Sequence, residues 1–177
     1  MATTEIIEEK ESQLKKAVSD TINHIAENPE AGEATFSVRS TLEQGFRAAV
    51  QARDLQFVVD EPENLGGDNE APNPVEYVLG ALAACQEIVI KTHANQLGID
   101  LESVEVSVEG DIDLKGFFAL SGARPGFKNV SYQTEIKTDE KDSEKLQRLK
   151  ELSLENCPVL DIIQHSTPVE GAVNFTN

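Results

Sequence analysis

Cys85 and Cys157 are the two cysteines of this chain. Two thiols are enough for one cycle of oxidation to a disulfide and reduction back, provided folding brings them together. Their settings differ. Cys85 ends the apolar run Ala81-Leu82-Ala83-Ala84-Cys85, with Ile88-Val89-Ile90 close behind. A cysteine among such neighbours is either a small inert core residue, its pKa raised by burial, or a reactive thiol supplied with a cation. In mid-helix it gains little from the helix dipole, so the cation must come from a side chain, and an arginine is the candidate. Cys157 directly precedes Pro158. With Pro158 opening a helix, Cys157 takes the cap position, beside backbone N–H groups that favour a thiolate. Cys-Pro can equally be a plain helix boundary. Spacing along the chain does not say whether the two sulfurs meet.

Other chemistries find little support. His24, His93 and His165 stand apart, without metal-ligand spacing to a cysteine or to one another. Neither a phosphate-cradling glycine loop nor a Gly-x-Ser-x-Gly nucleophile turn occurs. Neither a metal nor a cofactor is expected. The formal net charge of −17 repels phosphate backbones and anionic headgroups, which argues against nucleic acid and membrane partners. The acidic stretch from Ala2 to Ser12 lacks the apolar run of a signal peptide or a membrane span, so a cytoplasmic location is expected. Thiols rest reduced there, and a disulfide is more often catalytic or redox-sensing than structural.

The elements that must position the cysteines follow from periodicity. Residues 3–27 read as an amphipathic helix, with Ile7, Leu14, Val18, Ile22 and Ile25 on one face. Asn28, Pro29 and Gly32 end it. This helix and its linker, residues 1–33, precede a single domain over 34–177. Strands are expected at Thr35–Arg39, Phe46–Ala52 and Leu55–Val59, with turns at Gln44-Gly45 and Arg53-Asp54. Residues 60–72, rich in Pro, Gly, Asn and Asp, form a loop. Asn73, Pro74 and Glu76 then spell a capping box for a long helix over 75–94. It is apolar on nearly every face and therefore buried, and Gly98 stops it. Alternating strands follow at Val104–Leu114 and Asn129–Lys137, separated by a loop over 116–126. A helix capped by Ser143 runs to Glu155 with Leu146, Leu149 and Leu152 inward. A short helix covers Val159–His165, and Gly171–Phe175 makes a last strand. This order gives an α+β fold, with mostly antiparallel strands wrapping a long buried helix.

Several of these segments resemble the osmotically inducible protein C and organic hydroperoxide resistance (OsmC/Ohr) family. They are Asp60-Glu61-Pro62-x-x-Leu65-Gly66-Gly67, Asn73-Pro74-x-Glu76-Tyr77-x-Leu79-x-Ala81-Leu82-Ala83-Ala84-Cys85, Gly98-Ile99, Arg124-Pro125-Gly126-Phe127 and Cys157-Pro158-Val159. The resemblance covers roughly residues 34–177; the N-terminal helix is not a common part of it. It implies an intertwined homodimer with active sites near the subunit interface, acting as a thiol-dependent peroxidase on organic hydroperoxides. Cys85 would attack the peroxide and become a sulfenic acid. Cys157 would resolve it as a disulfide, and a dithiol reductant, such as a lipoylated protein, would reopen that bond.

The family also uses an arginine from an early strand and a glutamate at the start of the buried helix. Arg47 falls where that arginine is expected, with Arg39 as second choice. The family's glutamate usually follows Asn-Pro directly, a position held here by Val75, with Glu76 next. One residue is about 100° of helix rotation, so Glu76 is carried over with capping as its alternative role. Two non-enzymatic readings stand beside the peroxidase. One is a dimer binding a small hydrophobic ligand at its interface. The other is a redox sensor that moves the N-terminal helix.

Overall fold

The computed structural model describes residues 2–120 and 122–176, without the side chains of residues 2–4 and 7. Ile7 of the expected stripe, and Ser121 within the expected 116–126 loop, thus lie outside the described residues. The chain divides into two compact units, one up to Tyr77 and one from Val78 onward.

The N-terminal unit opens with helix α1, Ala2–Glu27. A 3₁₀ turn, Pro29–Gly32, closes it. Leu14, Ile22 and Ile25 do share a face, yet all three are exposed. Three antiparallel strands follow in the order β1 (Arg39–Leu42), β2 (Ala48–Ala52), β3 (Leu55–Val59). The first strand starts later than expected. Arg39 pairs with Gln51, and β2 gives way to the Arg53-Asp54 turn one residue beyond. Thr35 to Val38 therefore have no ladder to join, whatever their alternation, since a strand needs a partner's N–H and C=O groups. The second strand is shorter at its start for a similar reason. Gln44 and Gly45 turn the chain, the Arg47 N–H donates to the Gln44 carbonyl (3.0 Å), and Arg47 precedes β2 rather than beginning it.

The loop after β3 is organised by one carboxylate. Asp60 is 1% exposed, and its Oδ2 accepts from the N–H groups of Asp68 (3.0 Å) and Glu70 (3.1 Å). These bonds, led by the one from Glu70 and aided by the Arg47 charge, hold its pKa below the ordinary carboxylate value against the opposing effect of burial. Gly67 is required here: a Cβ would stand 1.9 Å from the Glu61 carbonyl oxygen.

Helix α2, Pro74–Leu97, starts on the expected capping box. The Asn73 N–H donates to Glu76 Oε2 (2.8 Å) and the Glu76 N–H to Asn73 Oδ1 (2.9 Å). The Tyr77 hydroxyl donates to the Val58 carbonyl (2.6 Å), fixing this first turn to β3. Gly98, at φ +67°, ends the helix. Burial is narrower than expected. Leu82, Gln86, Ile90 and Ala94 form one buried stripe at four-residue spacing, while Val78 and Ile88 are exposed. Cys85 and Val89, beside the stripe, are half-buried.

In the C-terminal unit β4 (Leu101–Asp111) and β5 (Asn129–Thr138) form a long antiparallel hairpin. Leu114, expected in the strand, instead opens the short helix α3, Leu114–Phe117, because the Asp113 carboxylate accepts from the Lys115 N–H (3.1 Å) and caps a helical turn. Helix α4, Ser143–Glu155, is capped by Asp142 and not by Ser143: Asp142 Oδ1 accepts from the N–H groups of Glu144 and Lys145. Helix α5, Pro158–Gln164, follows with Cys157 as its cap residue. The expected strand at Gly171–Phe175 is not formed. Among the described residues no strand pairs with this segment, and Phe175 is 93% exposed.

Two apolar clusters hold this unit. Ile90, Ala94, Ile99 and Leu149 form one, flanked by Leu101, Val104 and Ile136 from the hairpin. Leu82, Cys157 and Leu160 form the other, under Val108, Val130 and Tyr132. The hairpin thus lays the inward side of its alternation against the α2 stripe.

Candidate active site

The second cluster contains both cysteines. Cys157 is 2% exposed, a cap residue seated between Leu82 and Leu160. Cys85, half-buried, packs against the same group from α2. It lies three residues after Leu82, so the two share a helix face. Both thiols are free, and Cys85 packs against the cluster that holds Cys157. The inert-core reading of Cys85 does not require this contact; a thiol–disulfide cycle does.

The electrostatics of Cys85 are set by burial and by two neighbours. Burial pushes its pKa above the ordinary thiol value. The main-chain N–H of Val159, in the first turn of α5, opposes that rise. Cys157 adds to the rise through the shared hydrogen bond and through its charge. Cys157 takes the expected cap position but makes no side-chain cap bond of its own, and the next N–H along, that of Val159, favours the Cys85 thiolate.

Tyr132 was also missed. It stands on β5 against the cysteine cluster. Burial raises its phenol pKa, and the nearby Cys157 charge raises it further. Its signal in the sequence was only an inward position in an alternating strand.

The remaining predicted residues lie in the N-terminal unit. Arg47 is gripped by two carboxylates, pairing with Glu43 and donating from Nε to Glu70 Oε2 (2.8 Å). Glu70 belongs to the loop that Asp60 organises, and nothing in its sequence context marked it as the arginine's partner. Arg39 lines a concave part of the β1–β3 sheet with Thr41, Glu43, Gln51 and Gln56. Glu76 is engaged in the capping box. The structure thus joins Cys85 to Cys157, and pairs Arg47 with Glu43 and Glu70 rather than with Glu76.

Solved structures share this architecture. An OsmC-like protein from Mycoplasma pneumoniae is 16% identical with a TM-score of 0.63, over 76% of this chain and 90% of that one. A putative osmotic stress induced and detoxification response protein from Psychrobacter arcticus is 18% identical with a TM-score of 0.60, over 76% and 91%. An organic hydroperoxide resistance protein OsmC from Legionella pneumophila is 24% identical with a TM-score of 0.53, over 74% and 90%. These likenesses show the fold. No curated protein sequence matches the chain. No helix among the described residues is long and apolar enough to cross a membrane. The family model for OsmC-like proteins matches residues 67–171, which include both cysteines, the whole hairpin and the buried stripe of α2, and the chain belongs to that family.

Proposed function

We propose that this protein is a thiol-dependent peroxidase for organic hydroperoxides, a reading carried by the packing of Cys85 and Cys157 in one apolar cluster. Structural neighbours named organic hydroperoxide resistance proteins support a peroxide-related role. In the reaction, the Cys85 thiolate attacks the distal peroxide oxygen, the O–O bond breaks, and the alkoxide leaves to collect a proton as the alcohol. Cys85 is then a sulfenic acid. The Cys157 thiol attacks that sulfur, a disulfide forms, and the hydroxyl departs with a proton as water. A dithiol supplies the two electrons that restore both thiols.

Burial works against the first step, because only the thiolate is nucleophilic. Within the C-terminal unit the Val159 N–H offsets part of that cost. Arg47 is assigned the remaining task of stabilising the anion and orienting the peroxide. Glu43 and Glu70 fix its guanidinium, the service first looked for from Glu76. We assign the working form as a homodimer. Phe36 (90% exposed), Leu42, Leu55 and Phe57 leave the β1–β3 region with apolar side chains that one chain does not cover, and a second copy would cover them. Sedimentation should then show a dimer, and a monomer at micromolar concentration would remove that assignment.

The test of the peroxidase is direct. Reduced protein treated with cumene hydroperoxide should lose the mass of two hydrogens, mapped to a Cys85–Cys157 bond. Unchanged mass with a full thiol titre ends the proposal. One observation favours a ligand-binding role instead: a groove of about 470 Å³ in the C-terminal unit, lined by Ile90, Ile136, Leu146, Leu149 and Leu154. That reading requires native mass spectrometry to find a lipid-like molecule retained equally by Cys85→Ser, and an empty protein excludes it.

A further inference from the structure

The two sulfurs differ in what can reach them. Cys157 is enclosed by its own unit, between Leu82 and Leu160. Any further subunit or ligand can only subtract from the little surface it has. Cys85 keeps part of its surface open. Thiol–disulfide exchange needs an incoming thiolate to touch one sulfur of the bond while the other departs as a thiolate, so access decides which sulfur is attacked.

We propose that a reducing dithiol enters at the Cys85 sulfur and that Cys157 is the leaving group, with the Tyr132 phenol donating a hydrogen bond to the departing sulfur. This deepens the peroxidase reading and rests on it for the origin of the disulfide. The steps balance. One reductant thiolate bonds to the Cys85 sulfur as the Cys85–Cys157 bond breaks, and Cys157 leaves with the electron pair and takes up a proton. The reductant's second thiol, deprotonated, attacks its own neighbour in the mixed disulfide. Cys85 is released as a thiolate and the reductant departs as a cyclic disulfide, oxidised by two electrons. Tyr132 suits its part because it packs on the cluster that holds Cys157. Burial raises the phenol pKa above its ordinary value, which favours the protonated, donating form.

The experiment avoids peroxide. Diamide joins the two cysteines in the intact protein. Excess 2-mercaptoethanol, a monothiol that cannot cyclise, then opens the bond, and iodoacetamide quenches within the first seconds. Peptide mapping should find mercaptoethanol on Cys85 and carbamidomethyl on Cys157. Mercaptoethanol on Cys157, or an even split at the earliest time, overturns the assignment. Tyr132→Phe should slow this opening by roughly tenfold, the worth of one hydrogen bond to a charged group. Its oxidation by cumene hydroperoxide should slow by less than the opening does, because Cys157 departs as a thiolate only in the reductive half-reaction. Equal slowing of both half-reactions, or of neither, removes Tyr132 from the scheme. Because diamide makes the bond, inertness to peroxide sinks the peroxidase alone, whereas failure of diamide to join the sulfurs sinks both.

Discussion

The two units of this chain are held by different physics. Seven of the eight buried apolar residues, Cys157 among them, lie in the C-terminal unit, and among the described residues Val50 alone represents the N-terminal one. The C-terminal unit is an apolar core with its chemistry inside it: the thiols that would react are also packing atoms. The N-terminal unit is held by polar and backbone devices, namely the Asp60 carboxylate, the Asn73–Glu76 capping box, the Tyr77 hydroxyl and the Arg47 ion pairs. Both units leave large apolar side chains in the open, Phe36 and Phe57 in one, Ile88 and Phe117 in the other. The difference lies in what each has buried, an apolar core in one and a carboxylate with its amide donors in the other.

That contrast can be broken in order of expected effect. Cys85→Ser should abolish peroxide turnover, leaving only background consumption in a coupled peroxide assay. Cys157→Ser should still form a sulfenic acid, seen as a one-oxygen mass gain, but no internal disulfide. Equal turnover in either variant and the parent would uncouple the chemistry from the core. Next in size, Leu82→Ala should lose about 2–5 kcal/mol in urea unfolding, as expected for a fully buried leucine. Val50→Ala should lose less. The reverse order would mean that the N-terminal unit has the more important core.

Gly67→Ala tests the loop logic. Its new methyl must displace the Glu61 carbonyl, and overpacking of this kind costs about 1–3 kcal/mol. Cleavage by a protease between residues 60 and 70 should rise with it, and an unchanged cleavage rate would show that the loop adjusts freely.

The smallest effects are on pH. Asp60 has a depressed pKa. Its contribution is present above the unfolded carboxylate value of about 3.9 and is lost as pH falls through the lower folded value. Asp113, Glu140 and Glu151 in the other unit share that direction, so Asp60→Asn should blunt acid sensitivity only in part. Cys85 has a raised pKa. Its contribution is complete below the unfolded thiol value of about 8.5 and disappears as pH climbs through the higher folded value. Cys85→Ser should therefore flatten the alkaline fall in melting temperature. An identical alkaline profile would show that the thiol's burial does not couple to stability.

Local chemistry was the legible part of this molecule. The Asn73-Pro74-x-Glu76 cap, the Gly98 stop and the Cys157-Pro158 boundary each depend on a few adjacent residues, and each was read from the chain before the structure placed it. Errors arose where a competing neighbour or a distant partner decides. Asp142 outcompetes Ser143 as a cap, since a carboxylate one residue earlier reaches two N–H groups. Thr35–Val38 and Gly171–Phe175 have strand-like sequence but no ladder among the described residues. The cysteine contact depends on α2 and α5 meeting under a hairpin 11 and 10 residues long in its two strands. No local pattern encodes that, and the family resemblance had to supply the expectation. Glu70 as the partner of Arg47 was illegible for the same reason: 23 residues separate them.

One turn of backbone carries two loads. The amide that favours the Cys85 thiolate is on Val159, and the other thiol is two residues earlier in the same turn. A hinge motion at Asn156 that swings α5 away would withdraw the stabilising amide and the bonding mate together. Made before peroxide arrives, such a movement lowers the reactivity of the sulfur instead of leaving it activated but unable to close its cycle, so that less sulfenic acid forms without a partner to trap it.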